Sequence, residues 1–212
     1  KMFDHVAGNN TASASGTVAE AGLHYVFTDK ACTPGVAFGT GAQCNTVLGA
    51  LVAGETRVIY ITATMDGVPT ILSRNKTTTE VFQLALSCHN PTTGAGVTAV
   101  YGGITLPACA SNGATPTAWT ASASATFPQD KASIGANFIY EDVGEIQLFL
   151  RVVDTGKVGS ASPFKSHPAE VRLTNAAYGG AAIPANPADT SAFLIKAGRD
   201  FTVTAGAYTR SG

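Results

Sequence analysis

The sequence predicts an all-β sandwich protein, and three observations carry this prediction. Short segments alternate between apolar and polar residues, as the two faces of a half-buried strand require. Stretches rich in Gly, Pro and Asn separate these segments, and residues of these types favour turns. No stretch follows the 3.6-residue period of an amphipathic helix. The chain has 212 residues, enough for one or two domains.

Nine segments have the strand pattern. The clearest reads ASIGANFIY, in which Ile134, Ala136 and Phe138 share one face. Strands of this length at this spacing, with turn residues between them, indicate a sandwich. The predicted strands are 23–28, 56–64, 80–86, 97–101, 119–127, 132–140, 146–153, 170–174 and 201–207.

An acidic turn precedes the strand at 146–153. The pattern D-x-G-x-I-x-L, which begins at Asp142, matches the D-x-G-x-Y-x-C start of strand F in immunoglobulin-like sandwiches. We predict that Asp142 accepts backbone hydrogen bonds and that Gly144 relieves the backbone at the corner. The alternative, a calcium site on this turn, lacks a D-x-D-x-D-G loop. The predicted fold is therefore all-β, with immunoglobulin-like β-sandwich domains and Greek-key connections.

Trp119 is the only tryptophan, and two roles are open to it. It could stack on a sugar, as in a lectin. Its alternation with Ala121, Ala123 and Phe127 fits a core position better, because small alanines beside it leave room for one large ring. We therefore expect Trp119 in the core.

Four cysteines fall into two local pairs. We favour disulfides between Cys32 and Cys44 and between Cys88 and Cys109, because each would tie one loop and stabilise the fold by roughly 3 kcal/mol. Such bonds imply an oxidising compartment. A zinc site with His89 as a further ligand is one alternative, although no C-x-x-C pair supports it. Free thiols in a cytosolic protein are the other.

One internal repeat bears on the domain organisation. Residues 53–63 read AGETRVIYITA and residues 197–207 read AGRDFTVTAGA, which predicts the same early strand in two successive domains. About two strands of the second domain would be present, too few to bury a core. The missing strands would come from a longer polypeptide or from a neighbouring chain. The predicted division is an N-terminal β segment at 1–46, open to assignment to a preceding domain, an immunoglobulin-like sandwich at 47–165, and the incomplete start of a second one at 166–212.

The charge and the motifs exclude several function classes. Charged residues make up 13% of the chain and the formal net charge is −1, so we expect no nucleic-acid partner, which would require a strongly basic face. No apolar run reaches the about eighteen residues of a membrane-spanning helix, so no membrane span is expected. No P-loop, nucleophile elbow or zinc-protease motif occurs, and we predict neither a cofactor nor a metal.

The order of these motifs resembles the immunoglobulin-like C-terminal region of MshQ-like proteins, which are associated with MSHA-type type IV pili of Gram-negative bacteria. The resemblance covers roughly residues 50–210, and residues 1–45 show no match. The family usually has Arg-Pro where this chain has His167-Pro168. The matching positions are Tyr140, Asp142, Val143, Gly144, Ile146 and Leu148 in a Y-x-DVG-x-I-x-L motif, Phe164, Pro168 and Val171 in an F-x-x-x-P-x-x-[FV] motif, and Ile195, Ala197, Gly198, Phe201 and Ala207 in a looser segment.

The resemblance implies a non-enzymatic structural or adhesive module of a pilus-associated surface protein, located outside a Gram-negative cell. Its expected partners are other copies of the chain or pilus and surface proteins, with surface glycans as a further option. No catalytic residue carries over from the family. Two other classes stay open: a self-assembling fibre subunit that uses strand complementation between neighbouring chains, and a glycan-active enzyme with paired carboxylates across a cleft.

Overall fold

The computed structural model describes residues 22–90, 99–110, 113–178, 181–182 and 198–210. These residues contain fifteen β-strands and no α-helix, as the alternating patterns predict. The strands are β1 (Leu23–Thr28), β2 (Leu51–Val52), β3 (Arg57–Met65), β4 (Val68–Pro69), β5 (Thr78–Asn90), β6 (Ala99–Tyr101), β7 (Ile104–Thr105), β8 (Ala123–Phe127), β9 (Ser133–Tyr140), β10 (Gly144–Val152), β11 (Val158–Ser160), β12 (Phe164–His167), β13 (Glu170–Tyr178), β14 (Ala181–Ala182) and β15 (Thr202–Tyr208).

Two six-stranded sheets pack face to face as a sandwich. The first sheet has the order β1-β3-β9-β6-β7, with β4 beside β3. The second sheet has the order β2-β12-β10-β5-β8, with β11 beside β10. The pairing of β2 with β12 is parallel, and the other pairings in these sheets are antiparallel. A third sheet, β14-β13-β15, follows the sandwich.

The strand order is that of an immunoglobulin-like sandwich. In such a domain, strands A, B, E and D form one sheet, and strands C, F and G form the other. Here β1, β3, β9 and β6 are neighbours in the first sheet, whereas β5, β10 and β12 are neighbours in the second. The two sheets then match those of an immunoglobulin domain when letters are given in chain order. The letters A to G correspond to β1, β3, β5, β6, β9, β10 and β12. The chain therefore crosses repeatedly between the sheets, which gives the predicted Greek-key connections.

The first sheet joins two segments that the sequence pattern separates. β1 lies within 1–46, but it pairs along its whole length with β3, which lies within 47–165. Tyr25 and Phe27 of β1 are only 4% and 0% exposed, because they pack beneath the second sheet. The boundary at residue 46 is thus corrected: β1 is part of the sandwich. Alternation identifies a strand but does not say which strand it pairs with.

Alternate side chains of the long strands fill the space between the two sheets. Tyr25 meets Phe82 edge to face with 4.9 Å between ring centroids, and Phe138 meets Phe164 in the same way at 6.1 Å. Burying one large apolar side chain stabilises a fold by about 1.5–3 kcal/mol. The largest fully buried side chains between the sheets are Phe27, Phe82, Phe127, Phe138, Ile59, Leu86, Ile146, Leu148 and Leu150.

The two lateral sides of the sandwich differ. On the closed side, β11 lies against β1, and Gly159 is so close to Tyr25 that a Cβ at residue 159 would overlap the Tyr25 carbonyl oxygen. On the open side, β8 and β7 end their sheets, and the inward residues Ala125 and Ala136 are only half-buried. A glycine thus allows one side to close, while the interior stays accessible from the other.

Three buried tyrosines couple the stability of the fold to pH. Burial raises the pKa of Tyr101. Burial, and then the Glu80 carboxylate, raise the pKa of Tyr25. Burial, and then the Asp142 carboxylate, raise the pKa of Tyr140 to about 12. All three side chains therefore stay protonated at pH values where the same residues in an unfolded chain lose their protons.

We expect the free energy of unfolding to fall as the pH rises above about 10, where unfolded tyrosine ionises. The contribution of Tyr140 is fully present below that pH and is lost as the pH approaches about 12. Urea titrations at a series of pH values measure the fall, and tyrosinate absorbance reports the ionisation. Tyr140→Phe should show a smaller fall than the wild type. A free energy that stays constant across this pH range contradicts the prediction.

Candidate functional site

The acidic turn lies at the start of β10, as the sequence predicts. Asp142 Oδ1 accepts a hydrogen bond from the backbone N–H of Val143 at 2.7 Å, and the Asp142 carbonyl accepts one from the Ser166 hydroxyl at 2.7 Å. Gly144 has a φ of +145°, which residues with a Cβ rarely adopt. The turn is therefore tied to β12, and it directs the buried side chain of Ile146 into the core.

Both cysteine pairs form disulfides in the connectivity that the sequence favours. Cys32 is bonded to Cys44, and Cys88 is bonded to Cys109. All four thiols are consumed, so neither a zinc site nor free thiols describe these residues. Two structural disulfides fit an oxidising compartment.

A buried chain of hydroxyl groups holds the first disulfide on the sheet. Thr62 Oγ1 hydrogen-bonds to Thr28 Oγ1 at 2.7 Å and to Ser133 Oγ at 2.8 Å. Ser133 Oγ also accepts the backbone N–H of Cys32 at 3.0 Å, and Thr28 Oγ1 donates to the Lys30 carbonyl at 3.0 Å. No imidazole or carboxylate takes part in these bonds, so they supply no general base to activate a hydroxyl. The cluster fixes the Cys32 loop on the first sheet.

The alternation of Trp119 with the residues that follow it predicts a core position. The structure contradicts this prediction, because Trp119 does not lie in the core. It is half-buried, and the Arg151 guanidinium lies over its ring at 4.7 Å from the centroid. Gln83 Oε1 holds that guanidinium by accepting from Nε at 3.0 Å and from Nη2 at 2.5 Å. The alternation fails here because β8 begins only at Ala123. One face of the indole is thus occupied by a cation of the protein itself.

The sandwich passes into the third sheet over a short junction. β12 ends at His167 and β13 begins at Glu170, so only two residues lie between them. Ala53 connects β12 to the segment after β15: its N–H donates to the His167 carbonyl at 2.8 Å, and its carbonyl accepts the N–H of Arg210 at 2.9 Å. The Arg210 guanidinium also pairs with Glu55 at 3.0 Å. An exposed ion pair contributes only about 0–1 kcal/mol, so the backbone bonds contribute more to this junction.

The third sheet contains the second copy of the internal repeat. β15 is antiparallel to β13, just as β3 is antiparallel to β1. Gly54 before β3 and Gly198 before β15 have nearly equal φ angles, +78° and +75°. Each of these two glycines therefore has the left-handed φ that favours glycine shortly before its strand begins. Ile195 and Ala197, two positions of the family resemblance, lie outside the described residues.

The third sheet has a polar face and an apolar face. On the polar face, the Arg172 guanidinium lies 4.8 Å from the centroid of the Tyr208 ring. On the other face, Val171 and Val203 are 65% and 47% exposed, and Phe201, the residue before β15, is 53% exposed. We call these three residues the uncovered face, because no described part of the chain buries them. Exposed apolar patches commonly mark interaction surfaces.

Within the described ranges, no group of three or more His, Cys, Asp or Glu side chains could hold a metal ion, and no helix is long and apolar enough to cross a membrane. The chain shows no significant match to protein-family models, curated proteins or solved structures. The class of protein is therefore defined by its fold: a disulfide-bonded immunoglobulin-like sandwich that continues into a further β-sheet.

Proposed function

We propose that the chain is a non-enzymatic structural or adhesive module of a bacterial, pilus-associated surface protein that acts outside the cell. One observation carries the proposal: a disulfide-tied sandwich continues directly into a sheet whose strand β15 repeats the sequence pattern of β3. Tandem β-sandwiches with short junctions suit a protein that spans distance and bears load. The motif order that resembles MshQ-like proteins supports the location on a pilus.

The junction supports a fixed geometry between the units. Pro168 lies between the two strands and has a restricted φ. The backbone bonds of Ala53 to β12 and to Arg210, just after β15, leave little freedom at the point where a flexible linker would otherwise lie. The two disulfides stabilise the folded sandwich, and such bonds persist outside the cell, where thiols are not kept reduced.

Immunogold labelling of intact cells of the source bacterium tests the proposed location. We expect label on the cell surface or along pili, and we expect the protein in the fraction released by shearing. A matched label against a cytoplasmic protein should require permeabilised cells. Label for this chain that likewise appears only after permeabilisation, and only in the cytoplasm, rejects the proposal.

The uncovered face favours a second candidate function, a fibre subunit in which neighbouring chains cover each other. Electron microscopy of the purified chain distinguishes the two functions, because only a fibre subunit forms filaments without a pilus. In that case, replacing Phe201 and Val203 with serine should abolish the filaments. Val153→Ser is the control, since Val153 is also exposed, at 42%, but lies in the sandwich. A monodisperse monomer rejects the fibre and leaves the first proposal standing.

A further inference from the structure

The open side of the sandwich contains an apolar cleft between the two sheets. Its volume is about 150 Å³. Ile61, Phe82 and Tyr101 form its floor, and Ala125 and Ala136 lie at its mouth on facing strands. Because β8 and β9 come from different sheets, the mouth is the gap between the sheets themselves.

Small side chains keep this cleft open. Ala125 and Ala136 point into the space between the sheets but are only half-buried. At the closed side, the corresponding space is filled by large residues such as Tyr25 and Leu150, which are both buried. At its open side, the sandwich therefore has apolar interior surface that the described part of the chain leaves partly uncovered.

The lining determines which ligand chemistry fits. None of the residues that line the cleft is charged. The Tyr101 hydroxyl donates to the Ile59 carbonyl at 2.9 Å, so this donor is already used within the protein. A charged or strongly polar ligand would lose its hydration without gaining a partner on the cleft floor. An uncharged apolar ligand has no strong hydration to lose. It also gains contacts with the aromatic and aliphatic side chains that form the cleft floor.

The volume of the cleft limits the size of the ligand that it can hold. Cavities of about 150 Å³ lined by aliphatic and aromatic side chains accommodate one benzene ring.

We propose that the cleft is a binding site for a small, uncharged aromatic molecule of single-ring size, which enters between β8 and β9. The floor residues contact the faces and edges of the ring, while the alanines at the mouth provide the space through which it passes. This site goes beyond the proposed surface function and does not depend on it.

Ligand-observed NMR with toluene as the probe tests this site on the full chain. We expect a saturable saturation-transfer signal that benzene displaces. Ala136→Leu and Ala125→Leu each fill the mouth from one sheet, and each should weaken toluene binding by at least about tenfold. Asn137→Leu is the matched control, because it adds a similar side chain to the next residue of β9 on the opposite, exposed face. The control should bind toluene as the wild type does.

Toluene binding that does not saturate, or that is equal in the Ala136→Leu and Asn137→Leu variants, overturns the proposal. If both mouth variants fail to fold, backbone amide shifts of the wild-type protein decide the question. Toluene should then shift the signals of Gly102 and Ala136 at the cleft and leave Gly159 at the closed side unchanged; the reverse pattern also overturns the site.

Discussion

Gly159→Ala should lower the free energy of unfolding by about 2–3 kcal/mol, because the added Cβ overlaps the Tyr25 carbonyl oxygen. Backbone cannot move aside as the end of a flexible side chain can, so β11 or β1 must shift. The shift would open the closed side, where Tyr25 and Leu150 are buried. Urea unfolding measures the change, and for a protein of this size the melting temperature should fall by about 2–4 °C per kcal/mol.

Gly49→Ala is the control for this prediction. A Cβ at Gly49 would have only the Arg57 guanidinium near it, at 3.7 Å, and Gly49 has no positive φ. We expect the free energy of unfolding to change by at most about 0.5 kcal/mol, and a small gain is compatible with the reduced entropy of the unfolded chain. Equal losses in the two variants would show that Gly159 does not serve the close approach of the strands.

Replacing Cys88 and Cys109 with serine should cost about 3 kcal/mol of stability, because the unfolded chain is then no longer constrained by the cross-link. The loss also loosens the edge of β5, where the Cys88 N–H donates to the Ala110 carbonyl at 2.8 Å. Urea unfolding of the double variant, compared with the wild type in the absence of reductant, measures the effect.

Two comparisons make the disulfide result specific. Replacing Cys32 and Cys44 with serine should cost slightly less, since that bond closes a sequence separation of 12 instead of 21. Reductant should lower the stability of the wild type and leave a variant that lacks both disulfides unchanged. If the double variant at Cys88 and Cys109 is as stable as the oxidised wild type, this disulfide contributes nothing to the free energy of unfolding.

Several elements could be predicted because their signals are local. The alternation of Ile134, Ala136 and Phe138 defines β9 almost to the residue. Two hairpins outside the alternating strand patterns also have local signals. Asp66-Gly67 and Gly102-Gly103 each join paired strands, and all four residues have positive φ, as two-residue turns of this type require.

Other features depend on residues that are distant in sequence. Trp119 follows the alternating pattern of β8 but lies before that strand, where Arg151 covers its ring. No local pattern indicates this contact. The same holds for the approach of Gly159 to Tyr25 and for the bonds of Ala53 at the junction. Each of these contacts joins segments that are distant in sequence. The local sequence pattern does not show that such segments are close together in the folded chain.

The sequence by itself determined the all-β class, the acidic turn at Asp142, the favoured cysteine pairing and the repeated Ala-Gly strand. These follow from period, turn chemistry and spacing, which act over a few residues. Only the tertiary structure decided that β1 belongs to the sandwich, that one side is closed and the other open, and that the third sheet exposes an apolar face. The physical reason is that strand partners and sheet packing are chosen by burial across the whole chain, and an isolated strand pattern is compatible with many partners.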